Sequence, residues 1–346
     1  MRFEETFPDF GKLWDGKKVL VIGGTGQTGS YLVERLVSYN ADVHIVSRGE
    51  TGQRNFLVNV LSGINKHEFD ILGKDSLRDL LWTEKFDYVF NLAAVVGGID
   101  YNISHQADTY WNNLQLLIKP MFDAIQEGVP KYLTVSSACV YNDNVPVPTH
   151  EDDWRLGYPE PSNLGYGLAK ISAELYARWS EEFIRQTGNL TKIFIARPFN
   201  TISPREKFDG TSHAVAALIM KFMNGDNPVV VFGDGEQKRI FIHADDVAKG
   251  LLLVSAYGRP FLPYNIGHVN MYSIRQIVEI IKLSISKFGY KIPEIIYDSM
   301  KPVGYLKRAA NTERFESISK GWLPNDAGVE ETIEEMVKEY KNILGC

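Results

Sequence analysis

Runs of apolar residues bounded by polar turns recur through the first two thirds of the chain. Lys17–Ile22 reads as a buried strand entering a glycine loop, and Tyr31–Val37 then places apolar residues at helical spacing, so the opening unit is predicted as strand, loop and helix. Asp42–Ser47, Phe86–Asn91, Lys131–Ser136 and Lys192–Arg197 read as further strands with helical patterns between them, and Pro198 closes the last. Strands that alternate with helices are joined by crossovers, which predicts a doubly wound parallel sheet of the α/β class.

The second half is less regular. Val229–Phe232 and Pro263–Ile266 read as two more strands, whereas residues 199–228 and 268–346 are rich in turns and carry the helix candidates Ser273–Phe288 and Glu330–Ile343. The expected division is therefore a sheet domain of residues 1–198 with about 229–267, and a smaller, mainly C-terminal lobe of 199–228 and 268–346. There is no internal repeat, low-complexity tract or obvious linker.

Composition narrows the class. With 346 residues and 44% hydrophobic content the chain has enough apolar surface for a sizeable core. A formal net charge of −6 argues against a nucleic-acid partner while leaving room for a local basic pocket that holds a small anion. Only two cysteines occur, Cys139 and the terminal Cys346, so a reducing, cytoplasmic setting is expected rather than a disulfide framework. Met1–Glu5 lacks an apolar run after a basic start, and no stretch approaches the ~18 apolar residues of a membrane span, so no leader and no membrane partner are expected. No metal is expected.

Gly23, Gly26 and Gly29, with Gln27 and Thr28 between them, form G-x-x-G-x-x-G between a predicted strand and helix. Such a loop lets the backbone approach a pyrophosphate while the helix N-terminus offers free N–H donors, the arrangement of a Rossmann-type dinucleotide site. An NAD-preferring site carries an acid on the adenosine ribose at the end of the second strand; here the residues are Ser47 and Arg48. A hydroxyl and a guanidinium suit a 2′-phosphate, so NADP is favoured over NAD, with Arg48 stacked on adenine or in solvent as the alternative.

Further on, Ser137 stands at a strand end, and Tyr166 and Lys170 are spaced to share one helix face. The set suits hydride chemistry: oxidising an alcohol needs a base for the O–H proton, and reducing a ketone needs the same group as an acid. Tyr166 is the expected acid/base, its phenol lowered by roughly three pKa units through a neighbouring Lys170 ammonium.

At Gly23–Gly29, Ser137–Tyr141 and Tyr166–Lys170 the chain resembles the extended short-chain dehydrogenase/reductase family that acts on nucleotide sugars, and within it the GDP-L-fucose synthases and GDP-mannose 3,5-epimerases. The resemblance spans roughly Lys17 to Tyr340. It implies that Asp70 and Ile71 lie beside the adenine and that Leu92, Ala93 and Ala94, after Asn91, lie under the cofactor diphosphate. Cys139 and His213 would be acid/base groups, Asn200, Arg239 and Arg308 would hold a nucleotide-sugar substrate, and Asn113 would pack behind the site. Helices near 105–127 and 163–187 would pair two copies, making a homodimer. Structural readings remain open beside these: Asp70 can cap the next segment, Cys139 can be a small buried hydrophobe, and His213 can simply begin a helix. Lys207, before Phe208-Asp209-Gly210, is near the position of a family lysine.

The dehydratases of the family carry an Asp-Glu pair after the serine where this chain has Ala138-Cys139, so dehydration is not expected. The expected function is an NAD(P)-dependent nucleotide-sugar epimerase/reductase, exchanging hydride at sugar C4 and protons at C3 or C5, with a GDP-sugar in the lead. The alternatives are a C4 epimerase or plain 4-keto reductase and, remotely, a non-catalytic dinucleotide sensor.

Overall fold

The computed structural model describes residues 2–48, 63–74, 76–324 and 328–345. In chain order the strands are β1 (Lys18–Ile22), β2 (Asp42–Ser47), β3 (Ile64–Glu68), β4 (Tyr88–Asn91), β5 (Lys131–Val135), β6 (Lys192–Pro198) and β7 (Thr201–Ile202). They continue as β8 (Val229–Phe232), β9 (Lys238–Arg239), β10 (Ile242–His243), β11 (Pro263–Ile266), β12 (Tyr272–Ser273), β13 (Ile295–Asp298) and β14 (Lys307–Arg308). Seven of these form one parallel sheet in the order β11-β6-β5-β4-β1-β2-β3. This is the doubly wound fold that the strand–helix alternation predicts.

The helices are α1 (Phe3–Thr6), α2 (Gln27–Ser38), α3 (Ser76–Glu84), α4 (Ile99–Ser104), α5 (Gln106–Gln126) and α6 (Leu164–Thr187). They continue as α7 (Ala214–Met223), α8 (Ala244–Tyr257), α9 (Ile274–Lys287), α10 (Glu313–Ser319) and α11 (Val329–Leu344). Alternate residues of a strand face opposite sides, so β1 feeds two cores at once. Val19 and Val21 pack with Leu32 and Leu36 of α2 and Leu251 of α8, while Leu20 and Ile22 pack with α3, Met121 of α5 and Ala177 of α6. A third core joins α7, α9 and α11 over Val229 and Val231.

Val229–Phe232 is a strand, as its apolar run suggests, but it stands apart from the central sheet. It pairs in parallel with β13, and its inward valines fill the third core. The apolar run specifies burial on a strand without specifying which sheet receives it. β3 and β13 went unread in the sequence because their burial is partial and polar residues interrupt their alternation.

Arg197 of β6 is fully buried at the sheet's C-terminal edge. Its Nε and Nη2 donate to the two carboxylate oxygens of Glu174 on α6 at 2.8 and 2.5 Å, and Nη1 donates to the Tyr141 hydroxyl and the Glu151 carbonyl at 2.9 and 2.6 Å. Ser136 donates to the same carboxylate, and the Tyr141 hydroxyl donates to Asn265 of β11. Arg197→Met is expected to destabilise the protein by about 3–5 kcal/mol, because Glu174 is left as an unpaired buried charge. The double substitution Arg197→Met/Glu174→Met should cost clearly less than the sum of the two singles in urea unfolding.

Candidate functional site

The glycine loop departs from β1 under a strict steric limit. Gly23 has φ +80°, and a Cβ on Gly29 would stand 2.1 Å from the Gly23 carbonyl oxygen, so the first turn of α2 closes against the loop only with glycine there. Gly26 is the N-cap of α2 and offers no side chain to the free N–H groups, while Gln27 Nε2 and Ser47 Oγ are buried without a partner. Unpaired donors and a hydroxyl at a bare helix N-terminus fit a diphosphate and a ribose. Arg48 is exposed at the end of β2, and residues 49–62 lie outside the described residues.

Asn91 builds the neighbouring loop. Its amide donates to the Leu116 carbonyl and the Tyr132 hydroxyl, and its carbonyl accepts the Ala93 N–H, holding Leu92–Ala94 beside the glycine loop. Asn113, fully buried, both donates to and accepts from the Val95 backbone, which fixes the loop from behind. Asp70 spends one carboxylate oxygen on the Leu72 N–H in a local turn, and Ile71 is buried in the α3 core.

Two cavities open along the C-terminal edge of the sheet. The smaller, about 230 Å³, is lined by Gln27, Thr28, Leu92, Ala94, Ser137, Tyr166 and Lys170. The larger, about 500 Å³, is lined by Arg239, Gln237, Phe232, Lys221 and Tyr305 among others. Cys139, Asn200, His213 and Arg308 line both, so the residues that the sequence singles out converge where the cavities meet.

Ser137 caps a short 3-10 turn by accepting the Cys139 N–H at 3.1 Å, which sets serine and cysteine one after the other at the end of β5. Ser137 acts on the Tyr166 phenol, and Lys170 Nζ lies 5.3 Å from the Tyr166 ring centre. The electrostatics differ from the sequence expectation. Burial, with the charge of Cys139 added, pushes the Tyr166 phenol up rather than down, against a smaller opposing pull from Ser137. Burial pulls Lys170 down to about 7, against Cys139 and Glu174, and its Nζ donates to the Val135 carbonyl at 2.6 Å. The lysine is too dry in the protein alone to act as a permanent cation beside the phenol.

His213 is the N-cap of α7, half-exposed, with Nδ1 3.0 Å from Glu206 Oε1. The Glu206 carboxylate raises its pKa, against burial and a small effect of Lys207. Lys207 is itself exposed and lines neither cavity. Arg308 stacks 3.3 Å over the Tyr305 ring centre and directs Nη1 to the Cys139 sulfur at 3.8 Å, while its Nε and Nη2 are buried without a partner. Burial and the like charge of Arg308 lower Arg239 to about 9. Asn200 Oδ1 is also buried without a partner. Glu206 and Tyr305 were missed in the sequence; the only signal for Glu206 was an acid seven residues before the histidine.

Residues 19–267 match the family model described as the NAD dependent epimerase/dehydratase family. The chain is similar to a GDP-L-fucose synthase of Sinorhizobium fredii, 27% identical over 333 residues that cover 94% of this chain and 97% of that protein. In structure it is similar to a UDP-glucose 4-epimerase of Thermotoga maritima bound to UDP-glucose, with a TM-score of 0.78, 26% identity, and coverage of 94% and 99%. A GDP-L-fucose synthetase of Naegleria fowleri bound to NADP shares the fold, with a TM-score of 0.75, 20% identity, and coverage of 96% of each chain.

Gly29→Ala is expected to weaken dinucleotide binding at least tenfold, roughly the cost of displacing one backbone approach, in a fluorescence titration with reduced cofactor. Lys170 gives a pH signature. Below pH about 7 folded and unfolded chains both carry its proton; from about 7 up to 10.5 only the unfolded chain does, so stability rises with pH. Between pH 7 and 8, below the range where Arg239 titrates, cofactor-free protein should gain roughly 1 kcal/mol that Lys170→Met lacks, measured by chemical denaturation.

Proposed function

Because the chain belongs to the NAD dependent epimerase/dehydratase family, we propose that it is an NADP-dependent epimerase/reductase acting on the 4-keto form of a GDP-sugar. The observation that carries the reading is the meeting of the two cavities at Cys139, His213, Asn200 and Arg308. One arm holds the glycine loop with Ser137, Tyr166 and Lys170, and the other holds Arg239 and Gln237. The unpartnered donors of Arg308, and Arg239 beside it, suit a diphosphate, where planar guanidinium forks are effective. The likeness over nearly the full chain to a protein named GDP-L-fucose synthase supports guanosine as the base.

The dinucleotide fits the residues present: Gln27, Thr28 and the α2 N-terminus for the diphosphate, and Ser47 with Arg48 for a 2′-phosphate in place of the missing acid. When bound it supplies hydride to C4 and, once oxidised, a positive charge beside Tyr166. A 4-ketone makes the C3 and C5 hydrogens acidic. Cys139 and His213 would remove a proton from one side and return one on the other, the electron pair resting on O4 in between, held by the Tyr166 and Ser137 hydroxyls. Tyr166 then gives its proton to O4 as C4 is reduced. A phenol raised by burial is a proton donor at neutral pH, which supports net reduction over a C4 epimerisation that only passes through the ketone.

A homodimer is part of the reading, supported by Trp111, Phe122, Trp179 and Phe183, which are exposed on the paired helices α5 and α6. So is the cytoplasm, where the unpaired Cys139 stays a thiol.

The test is incubation with the GDP-linked 4-keto-6-deoxy derivative of mannose and NADPH in deuterated water. Stoichiometric NADPH consumption and deuterium at C3 or C5 are expected. Tyr166→Phe should slow NADPH oxidation by about 10²–10⁴-fold, and Cys139→Ala should abolish deuterium uptake while cofactor binding persists. Epimerisation at C4 without NADPH consumption would select the epimerase alternative, and hydride transfer without deuterium uptake the plain reductase.

A further inference from the structure

The loop between β7 and α7 brings together two side chains of opposite setting. The His213 ring opens into both cavities, whereas Glu206, facing the smaller one, is only 5% exposed. A carboxylate removed from water needs a partner. His213 Nδ1 at 3.0 Å from Oε1 is the side-chain partner that the described residues provide.

The backbone holds the acid in place. Its N–H donates to the Ser203 carbonyl at 3.0 Å, and the preceding Arg205 donates through Nη2 to both carboxylate oxygens of Glu34 on α2, at 2.7 and 2.8 Å. The Arg205 guanidinium also lies 3.9 Å over the Tyr31 ring centre. The loop is thereby clamped to the helix that carries the dinucleotide loop.

We propose that Glu206 is the positioning residue of the proton-transfer site, holding the His213 ring with Nδ1–H on its carboxylate and Nε2 directed to the sugar. The inference rests on the reading of His213 as acid/base opposite Cys139. An imidazole has two tautomers and turns freely about χ2; a fixed acceptor at Nδ1 selects one of each. In the protonation step the Nε2–H bond breaks, the enolate electron pair forms the new C–H bond, and the ring is left neutral with Nδ1–H still on the carboxylate. Solvent restores the Nε2 proton. Glu206 and Lys207 are the charged groups that act on the ring, and the carboxylate outweighs the ammonium, so His213 holds its proton to higher pH than a free imidazole.

The test combines NMR titration of the full chain, labelled at its seven histidines, with the pH profile of deuterium uptake into the 4-keto sugar. His213→Asn assigns the resonance. In Glu206→Gln the His213 midpoint should move to lower pH, the limb of the uptake profile should move with it, and the uptake rate should fall about tenfold with KM little changed. Glu206→Asp, which keeps the charge, should restore part of the rate, and thermal melting of each variant shows that it is folded.

An unmoved His213 midpoint in folded Glu206→Gln overturns the pairing. Uptake that His213→Asn abolishes, but whose rate and pH profile Glu206→Gln leaves unaltered, overturns the positioning role alone. Uptake that survives His213→Asn overturns the underlying reading of the site, and the inference falls with it.

Discussion

A guanidinium with no access to water sets the geometry of everything above it. Arg197 stands next to last in β6, yet its partners come from α6, from the chain after β5, and from the segment that reaches Glu151. The helix bearing Tyr166 and Lys170 is therefore pinned at Glu174, one turn beyond the lysine, to the same point as the strand end bearing Ser136 and Ser137. Buried ion pairs contribute little net stability compared with apolar packing, so the value of this one lies in register. A rotation of α6 by one residue would separate the carboxylate from the fork and swing the phenol out of the cleft.

That fixed edge serves a site whose parts answer to opposite demands. Dryness makes the phenol a proton donor and the lysine a weak base, each the reverse of what the residue types suggest in water. Across the cleft the imidazole is kept wet on one edge and paired on the other, which retains its proton. Groups that hold protons and groups that have lost them thus face the same space without neutralising one another, because each is governed by its own immediate neighbours.

The strand–helix alternation and the glycine loop were legible because both rest on local constraints: runs of apolar residues, and a carbonyl oxygen that leaves no room for a Cβ at Gly29. Tyr166 and Lys170 were legible as neighbours through their helical spacing, and their meeting with Ser137 and Cys139 was what the family resemblance implied. What escaped were pairings between distant segments. Nothing near Val229 says that its partner is Ile295, and nothing near Arg308 says that it will reach Cys139, far back in the chain, where the two cavities meet. The direction of the Tyr166 and Lys170 shifts was also beyond the sequence, since spacing gives proximity whereas burial decides which charge survives.

Two arginines lie close together on β9 and β14, buried, with two N–H groups of Arg308 left without acceptors. Burial first, and the like charge of Arg308 after it, lower the affinity of Arg239 for its own proton. A core of this kind is finished only from outside. On the reading of a diphosphate substrate, the entering anion would supply the missing acceptors and offset the repulsion, so part of the folding free energy would be deferred until binding. On that reading, grip on the substrate and resistance to unfolding would be one quantity read in two ways, and any gain in stability made by neutralising either arginine would be taken from the affinity.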